Sequence, residues 1–157
     1  MIPAPFRSPP SVVRPEWIDE NGHMNVAYYV MVFDRAIDQL WAAIGLGEAY
    51  RATGRGTFAV ESHILWKAEL VEGEQVEVTT QILGLDHKRV HLAHEMRRVR
   101  DGVVAAQQEF MLLAVDMEAR RAAPFLPEVM PGLLAAASAH AALPRPEWVG
   151  RRLAMPT

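Results

Sequence analysis

Residues 17–29, WIDENGHMNVAYY, set Asp19, Asn21, His23 and Asn25 at alternate positions of one short loop that runs straight into an apolar segment. A carboxylate in that position can attack a carbonyl carbon or deprotonate a water that does. The loop's location offers the complementary half of such a reaction. Free N–H groups at a helix start, together with the helix dipole, stabilise an oxyanion forming on a bound carbonyl. A structural explanation competes with this one: Asp commonly closes a turn such as Asn21-Gly22, Asn25 serves as an N-cap, and a lone His before a helix is often hydrogen-bonded scaffold. The grouping of the four polar residues is what lifts the loop to a candidate site. Glu16 and Glu20 alternate outward from Trp17 and Ile18 and read as solvated.

A second pair of titratable groups, Glu61 and His63, lies in TFAVESHILWKA, where strict alternation puts them on one strand face with Thr57 and Ala59. They read either as a second acid and base in a polar pocket or as an outward face at a subunit seam. The remaining histidines fit no metal pattern: His87, His91 and His94 surround a hairpin, His91 and His94 point to opposite faces, and His140 stands alone. Lys88, Arg89, Arg97, Arg98 and Arg100 form a local basic cluster, able to hold the phosphates of a nucleotide-like group or simply to line a solvated hairpin.

The elements that must position these residues are legible from period and punctuation. Val26, Tyr29, Phe33, Ile37, Leu40, Trp41 and Ile44 recur at steps of three and four, one buried stripe of a helix of roughly 18 to 20 residues, with Asp34, Arg35, Asp38 and Gln39 opposite. Asn25 supplies the N-cap and Gly45 the stop. From Thr57 the period changes to two, and four long segments separated by Glu-Gly-Glu, Asp-His-Lys and Asp-Gly turns predict an antiparallel meander. Strands of this length curl, and the long apolar helix is what the concave face can bury. The expected fold class is α+β, a long curved antiparallel sheet wrapped around one central helix. Within a single domain spanning 1–157, residues 1–10 read as an extended Pro-rich arm, 11–117 as the core, with a short strand at Ser11–Arg14, and 118–157 as a Pro- and Ala-rich extension lying outside the sheet or partly mobile.

Composition narrows the chemistry. The chain has 157 residues, enough for one domain with a real core. With 16 basic against 19 acidic residues and a net charge of -3, it lacks the footprint of a nucleic-acid binder. It contains no cysteine, which removes thiolate nucleophiles, disulfides and Cys-ligated zinc. No apolar run reaches the roughly 18 residues of a membrane span, and the expected location is the cytoplasm.

Asp19-x-x-Gly22-His23-Met24-Asn25, followed by tyrosines and a long helix, resembles the signature of hotdog-fold acyl-CoA thioesterases of the 4-hydroxybenzoyl-CoA thioesterase type. Residues 57–64 (TFAVESHI), 85–92 (LDHKRVHL), 109–113 (EFMLL) and 122–125 (AAPF) extend the likeness towards the thioesterases of carnitine degradation, whose assigned substrate is betainyl-CoA. The resemblance implies that Asp19 is the nucleophile or general base, with the amides near Asn25 and Val26 as the oxyanion hole. It implies sites shared between subunits of a homodimer or homotetramer, with Glu61 and His63 facing a partner's loop, and leaves Glu61 as the rival catalytic acid. Coenzyme A would arrive as part of the substrate, its phosphates near Lys88 and Arg89, with no metal or redox cofactor. A betainyl group needs aromatic faces for its trimethylammonium; Tyr29, Phe33 and Trp66 fit the core, which leaves Trp17 and Tyr28 as the better candidates. The same fold also hosts enoyl-thioester dehydratases and hydratases, for which His23 with Asp19 would serve, and non-catalytic acyl-CoA-binding modules; an oligomerising interaction protein is a further alternative.

Overall fold

Nineteen residues, Val26–Ile44, form the central helix α1, and both of its ends are chemically specified. The Asn25 side chain accepts from the Ala27 N–H at 3.0 Å, and Gly45 closes the last turn at φ 92°, in the left-handed region that glycine enters without a Cβ clash. The buried stripe is Tyr29, Val32, Phe33, Ala36, Ile37, Leu40, Trp41 and Ile44. Val26 departs from it: 53 % exposed, it begins the helix in solvent, before the stripe meets the sheet. Phe33 and Leu40 are fully enclosed, each contributing about 1.5–3 kcal/mol of burial.

The computed structural model describes residues 2–155. The sheet consists of β1 (Phe6–Arg7), β2 (Ser11–Val12), β3 (Arg55–Trp66), β4 (Gln75–Leu85), β5 (Arg89–Arg98), β6 (Val104–Asp116) and β7 (Arg121–Ala122), between which a single-turn helix α2 (Glu48–Arg51) follows α1. Every pairing is antiparallel, the order is β1-β4-β5-β6-β3, β2 also pairs with β4, and β7 with β6. The concave face packs against α1, which is the hotdog arrangement.

Two sequence expectations need correction. Only β4, β5 and β6 form a meander; β3 lies beyond β6, at the far edge. Residues 67–74 are too long for a hairpin turn and instead cross from one edge to the other, pinned by Lys67 and Ala68 N–H donating to Ala105 O and by the enclosed Leu70. Strict alternation also fails in β3. Register shifts between Ala59 and Glu61, so Val60 is an unpaired bulge residue that exchanges the faces of everything after it. Thr57 and Ala59 oppose the core residues Ala114 and Leu112, whereas Glu61 and His63 oppose Met111 and Glu109 on the outer face.

The C-terminal segment is also more integral than expected. Helix α3 (Met130–Ala141) buries Leu133, Ala136 and His140 completely, and Leu133 and Ala136 join Phe125 and Val129 in the α1 core. His140 seals the sheet edge, accepting from Ile82 N–H through Nδ1 at 2.9 Å and lying 3.0 Å from Pro3 O through Nε2. Gly132 makes the closest approach: a Cβ there would sit 2.4 Å from Ile44 O, so only glycine lets α3 reach the end of α1.

Candidate active site

The 17–25 loop is folded onto itself by its own polar groups. Asp19 N–H donates to His23 O at 3.1 Å and Gly22 N–H to Asp19 O at 3.0 Å, with Gly22 at φ 80°, so this turn requires the glycine. The Asp19 carboxylate accepts from Asn21 N–H at 2.9 Å through Oδ1 and from Asn25 Nδ2 at 3.3 Å through Oδ2. Asn25 thus holds the carboxylate with its NH2 and the first turn of α1 with its carbonyl. The loop is fastened to the body by Met24 N–H on Leu70 O at 2.7 Å, Asn25 N–H on Trp17 O at 2.9 Å, and Tyr29 Oη donating to Ala68 O at 3.1 Å. Burial pushes the Tyr29 phenol up to about 12, so it stays a donor.

Among the described residues the Val26 N–H has no hydrogen bond, while the next amide is taken by Asn25. A partly exposed carboxylate and a free helix-start amide therefore lie within one turn of chain. That arrangement can activate a water, or attack directly, and receive the oxyanion that results. His23 turns elsewhere: its Nε2 lies 4.0 Å from Glu69, at the start of the crossover.

Glu61 and His63 are not brought to this loop within the chain. They join His91 and Glu109 on the outer face, around a cavity of about 300 Å³ that Gly150, Arg151 and Arg152 partly cover. His91 Nε2 is 2.7 Å from Glu109 Oε1, and Gly150 N–H donates to Glu109 Oε2 at 2.6 Å. Burial alone would raise the Glu109 carboxyl, but the Gly150 amide, His91 and Arg145 hold it below its usual range.

Trp17 and Tyr28 come together as a stacked pair, centroids 5.4 Å apart, and the Arg14 and Arg35 guanidinium groups already lie 5.7 and 5.8 Å from the Trp17 ring. The expected basic cluster is two separate sites at opposite ends of β5. Arg97, Arg98 and Arg100 are ion-paired with Glu95, Asp101 and Glu74, while Arg89 is ion-paired with Asp86 at 2.6 Å. Asp86 is held down to about 2 by the Lys88 N–H and by Arg89. Lys88 has no such pair among the described residues, and it sits at the end of the sheet away from Asp19 in the same chain.

Sequence reasoning missed two features. A cavity of about 460 Å³ lies between α1 and β3, with Asp34, Asp38, Trp41, Tyr50 and Thr57 in its wall. The positions 34, 37, 38 and 41 form one helical stripe, and two carboxylates four residues apart on it were a readable signal. Beneath the helix, Ser62, Gln108, His94 and Thr80 make a polar row across the concave face: Gln108 Nε2 donates to Ser62 Oγ at 3.0 Å, and Thr80 Oγ1 is 2.9 Å from His94 Nδ1. Nothing but cross-strand register could have shown it. Among the described residues no three His, Asp or Glu side chains converge as metal ligands would, and no helix is long and apolar enough to cross a membrane.

A long helix in a curved antiparallel sheet, with a carboxylate loop ahead of a free helix-start amide, defines a hotdog-fold protein equipped for thioester chemistry. Residues 13–133 match the thioesterase-like superfamily. The chain is 46 % identical over 145 residues to the betainyl-CoA thioesterase of Pseudomonas aeruginosa, covering 92 % of this chain and 91 % of that one. It is 35 % identical over 149 residues to the L-carnitine dehydrogenase/betainyl-CoA thioesterase of Rhizobium meliloti, covering 95 % of this chain but 30 % of that longer protein. A hypothetical protein of Staphylococcus aureus, solved in complex with CoA, superposes with a TM-score of 0.90 at 27 % identity over 99 % of this chain and 98 % of its own. The chain belongs to the thioesterase-like superfamily, and it is a thioester hydrolase.

Proposed function

We propose that this protein hydrolyses betainyl-CoA, with Asp19 as the catalytic carboxylate and the Val26 N–H as oxyanion donor. The observation that carries this reading is the link from Asp19 through Asn25 to the start of α1, which fixes carboxylate and free amide in one rigid unit. Asp19 either attacks the thioester carbonyl or takes a proton from the water that does; negative charge collects on the carbonyl oxygen facing Val26 N–H, the C–S bond breaks to release CoA thiolate, and in the direct-attack route water then cleaves the acyl–Asp19 anhydride to free the acid and the carboxylate. The outer-face placement of Glu61 favours Asp19 over it, and the turn of His23 towards Glu69 leaves the dehydratase alternative without support.

The site is completed by a second copy. One edge of β3 is paired with β6, the other is free among the described residues, and Phe58, Val60 and Trp66 are about half exposed along it. Two β3 strands pairing antiparallel about their midpoint would lay Ile64–Trp66 of one copy beside Arg55–Thr57 of the other. The loop carrying Asp19 is fastened to the chain just after Trp66, through Ala68 and Leu70, so each loop would face the other copy's α1–β3 cavity. Lys88 lies at that same end, beside Arg89, which is opposite Leu113 as Leu113 is opposite Phe58; the Lys88 ammonium would meet the phosphates of CoA there, while Arg89 is held by Asp86. No cofactor beyond the substrate's own CoA enters this scheme, which operates in the cytoplasm, where CoA thioesters are made.

Free-thiol release from betainyl-, acetyl-, medium-chain and aromatic acyl-CoA tests the reading. Betainyl-CoA should be cleaved best, and Asp19→Asn should lose at least a hundredfold in kcat while Glu61→Gln stays within a few fold. An Asp19→Asn enzyme of undiminished rate would move the catalytic assignment elsewhere.

A further inference from the structure

After α3 the chain runs across the outer face of the sheet. Gln81 on β4 donates from Nε2 to Pro144 O at 3.4 Å, Trp148 shares a cavity wall with Thr79, Ala93 and Glu95 on β4 and β5, and Gly150 N–H is held by Glu109 on β6 at 2.6 Å. Arg151 and Arg152 then line the cavity of Glu61 and His63 on β3. The strap therefore crosses β4, β5, β6 and β3 in their spatial order and leaves over the edge strand. What it carries there is unusual for a solvated end. Leu153 is 95 % and Met155 89 % exposed, more than any other large apolar side chain among the described residues. They follow two arginines that, like the exposed Glu61 beside them, have no ion pair among those residues.

A complementary surface lies where this tail would arrive. Pairing of two β3 strands about their midpoint sets His63 beside Phe58 of the other copy and brings the two Glu61 carboxylates together at the two-fold axis. Phe58 is half exposed at the rim of a groove of about 360 Å³ that runs over Leu113, Val115 and Met117. Neighbouring strands lie about 4.8 Å apart, so β6 of the other copy is about 10 Å from the β3 strand that the tail crosses. Arg151 to Leu153, extended, span about 10 Å. The chain's own groove instead begins five residues back along β3, about 17 Å from His63 and off the line of the strap.

We propose that the C-terminal tail docks on a second copy of this chain, with Arg151 and Arg152 over the paired Glu61 carboxylates and Leu153 and Met155 in the groove of Phe58, Leu113, Val115 and Met117. Each copy then covers an apolar groove of the other, and the like charges at the axis gain counter-charges. This inference rests on the β3 pairing described above and is independent of which acyl group is hydrolysed.

The sequence contains no cysteine, so introduced thiols report cleanly. A full-length chain carrying Phe58→Cys and Leu153→Cys should give covalent dimers on mild oxidation, because the thiols that meet belong to different copies. Disulfides closed within single chains overturn the inference, as do dimers that stay unlinked. In an equal mixture of the two single variants, told apart by a size tag, unlike chains should link at least tenfold more than like ones; a statistical mixture overturns it. Leu153→Asp with Met155→Asp alters two side chains exposed in their own chain, and should raise the dimer dissociation constant at least tenfold in sedimentation; an unchanged constant overturns the apolar contact. Glu61→Arg should weaken the dimer, and Arg151→Glu with Arg152→Glu in the same chain should restore it; no restoration overturns the charge contact. Wild type that sediments as a monomer removes the β3 pairing and this inference together, whereas a dimer whose tail fails these tests leaves the pairing standing.

Discussion

Asn25 joins Asp19 to α1 with opposite ends of one amide, its Nδ2 donating to the Asp19 carboxylate at 3.3 Å and its Oδ1 accepting from Ala27 N–H at 3.0 Å. A residue that reads as an ordinary cap therefore also sets where the carboxylate points.

The two roles can be separated. Asn25→Asp keeps an acceptor for the helix start but turns the contact with Asp19 into a repulsion, whereas Asn25→Ala removes both. Asn25→Asp should hold its melting temperature within a few degrees and lose at least tenfold in kcat/KM. Asn25→Ala should also lose about 1 kcal/mol of stability. Equal activity in wild type and Asn25→Asp would show that the amide donor does not position Asp19.

His94 makes the fold acid-sensitive. Complete burial, between Phe33 and Phe110, lowers its pKa from 6.5 to about 3. Between those values the unfolded chain takes up a proton that the folded one refuses, so stability is full above pH 6.5 and falls as the pH drops towards about 3. This group alone supplies a slope of up to about 1.4 kcal/mol per pH unit. Urea unfolding at a series of pH values should show that slope in wild type and a shallower one in His94→Gln; identical slopes would mean that His94 is protonated inside the fold.

Gly132→Ala separates helix propensity from packing. In an exposed helix the change stabilises by roughly 0.5–1 kcal/mol. Here the added Cβ meets the Ile44 carbonyl at 2.4 Å, and the cost of displacing α3 should be about 1–3 kcal/mol. Thermal melts should show a fall of several degrees, and a rise would mean that α3 is not seated on the end of α1.

Val60→Glu places a charge at the middle of the free β3 edge. Sedimentation equilibrium should show dissociation to monomers, with thioesterase activity falling at least tenfold alongside. A variant that stays dimeric and active would place the subunit contact away from β3.

The central helix was readable to the residue because its ends are written in local chemistry, Asn25 and Gly45. The long strands were readable because alternation is local as well. What was hidden depends on partners remote in the chain: β3 seeks β6 across about fifty residues of sequence, Arg89 is spent on Asp86, and the edge-sealing role of His140 appears only once Ile82 and Pro3 are beside it. The candidate loop was legible as a grouping of polar residues ahead of free helix-start amides, but the occupied face of Trp17 was not.

The bulge at Val60 acts on β3 as a frameshift acts on a message. Upstream of it, odd-numbered side chains look towards the helix; downstream, even-numbered ones do. Pairing Val60 with Leu112 while keeping the downstream pairing would leave the sequence untouched, yet it would shift the upstream frame, turning Phe58 inward and Thr57 and Ala59 out. Trp41 would lose the hydroxyl it now donates to at 2.9 Å. A homologue lacking one residue here would thus keep the same wall on both sides of its gap, whereas one of equal length without the bulge would present a different wall to its acyl cavity with no gap to show it.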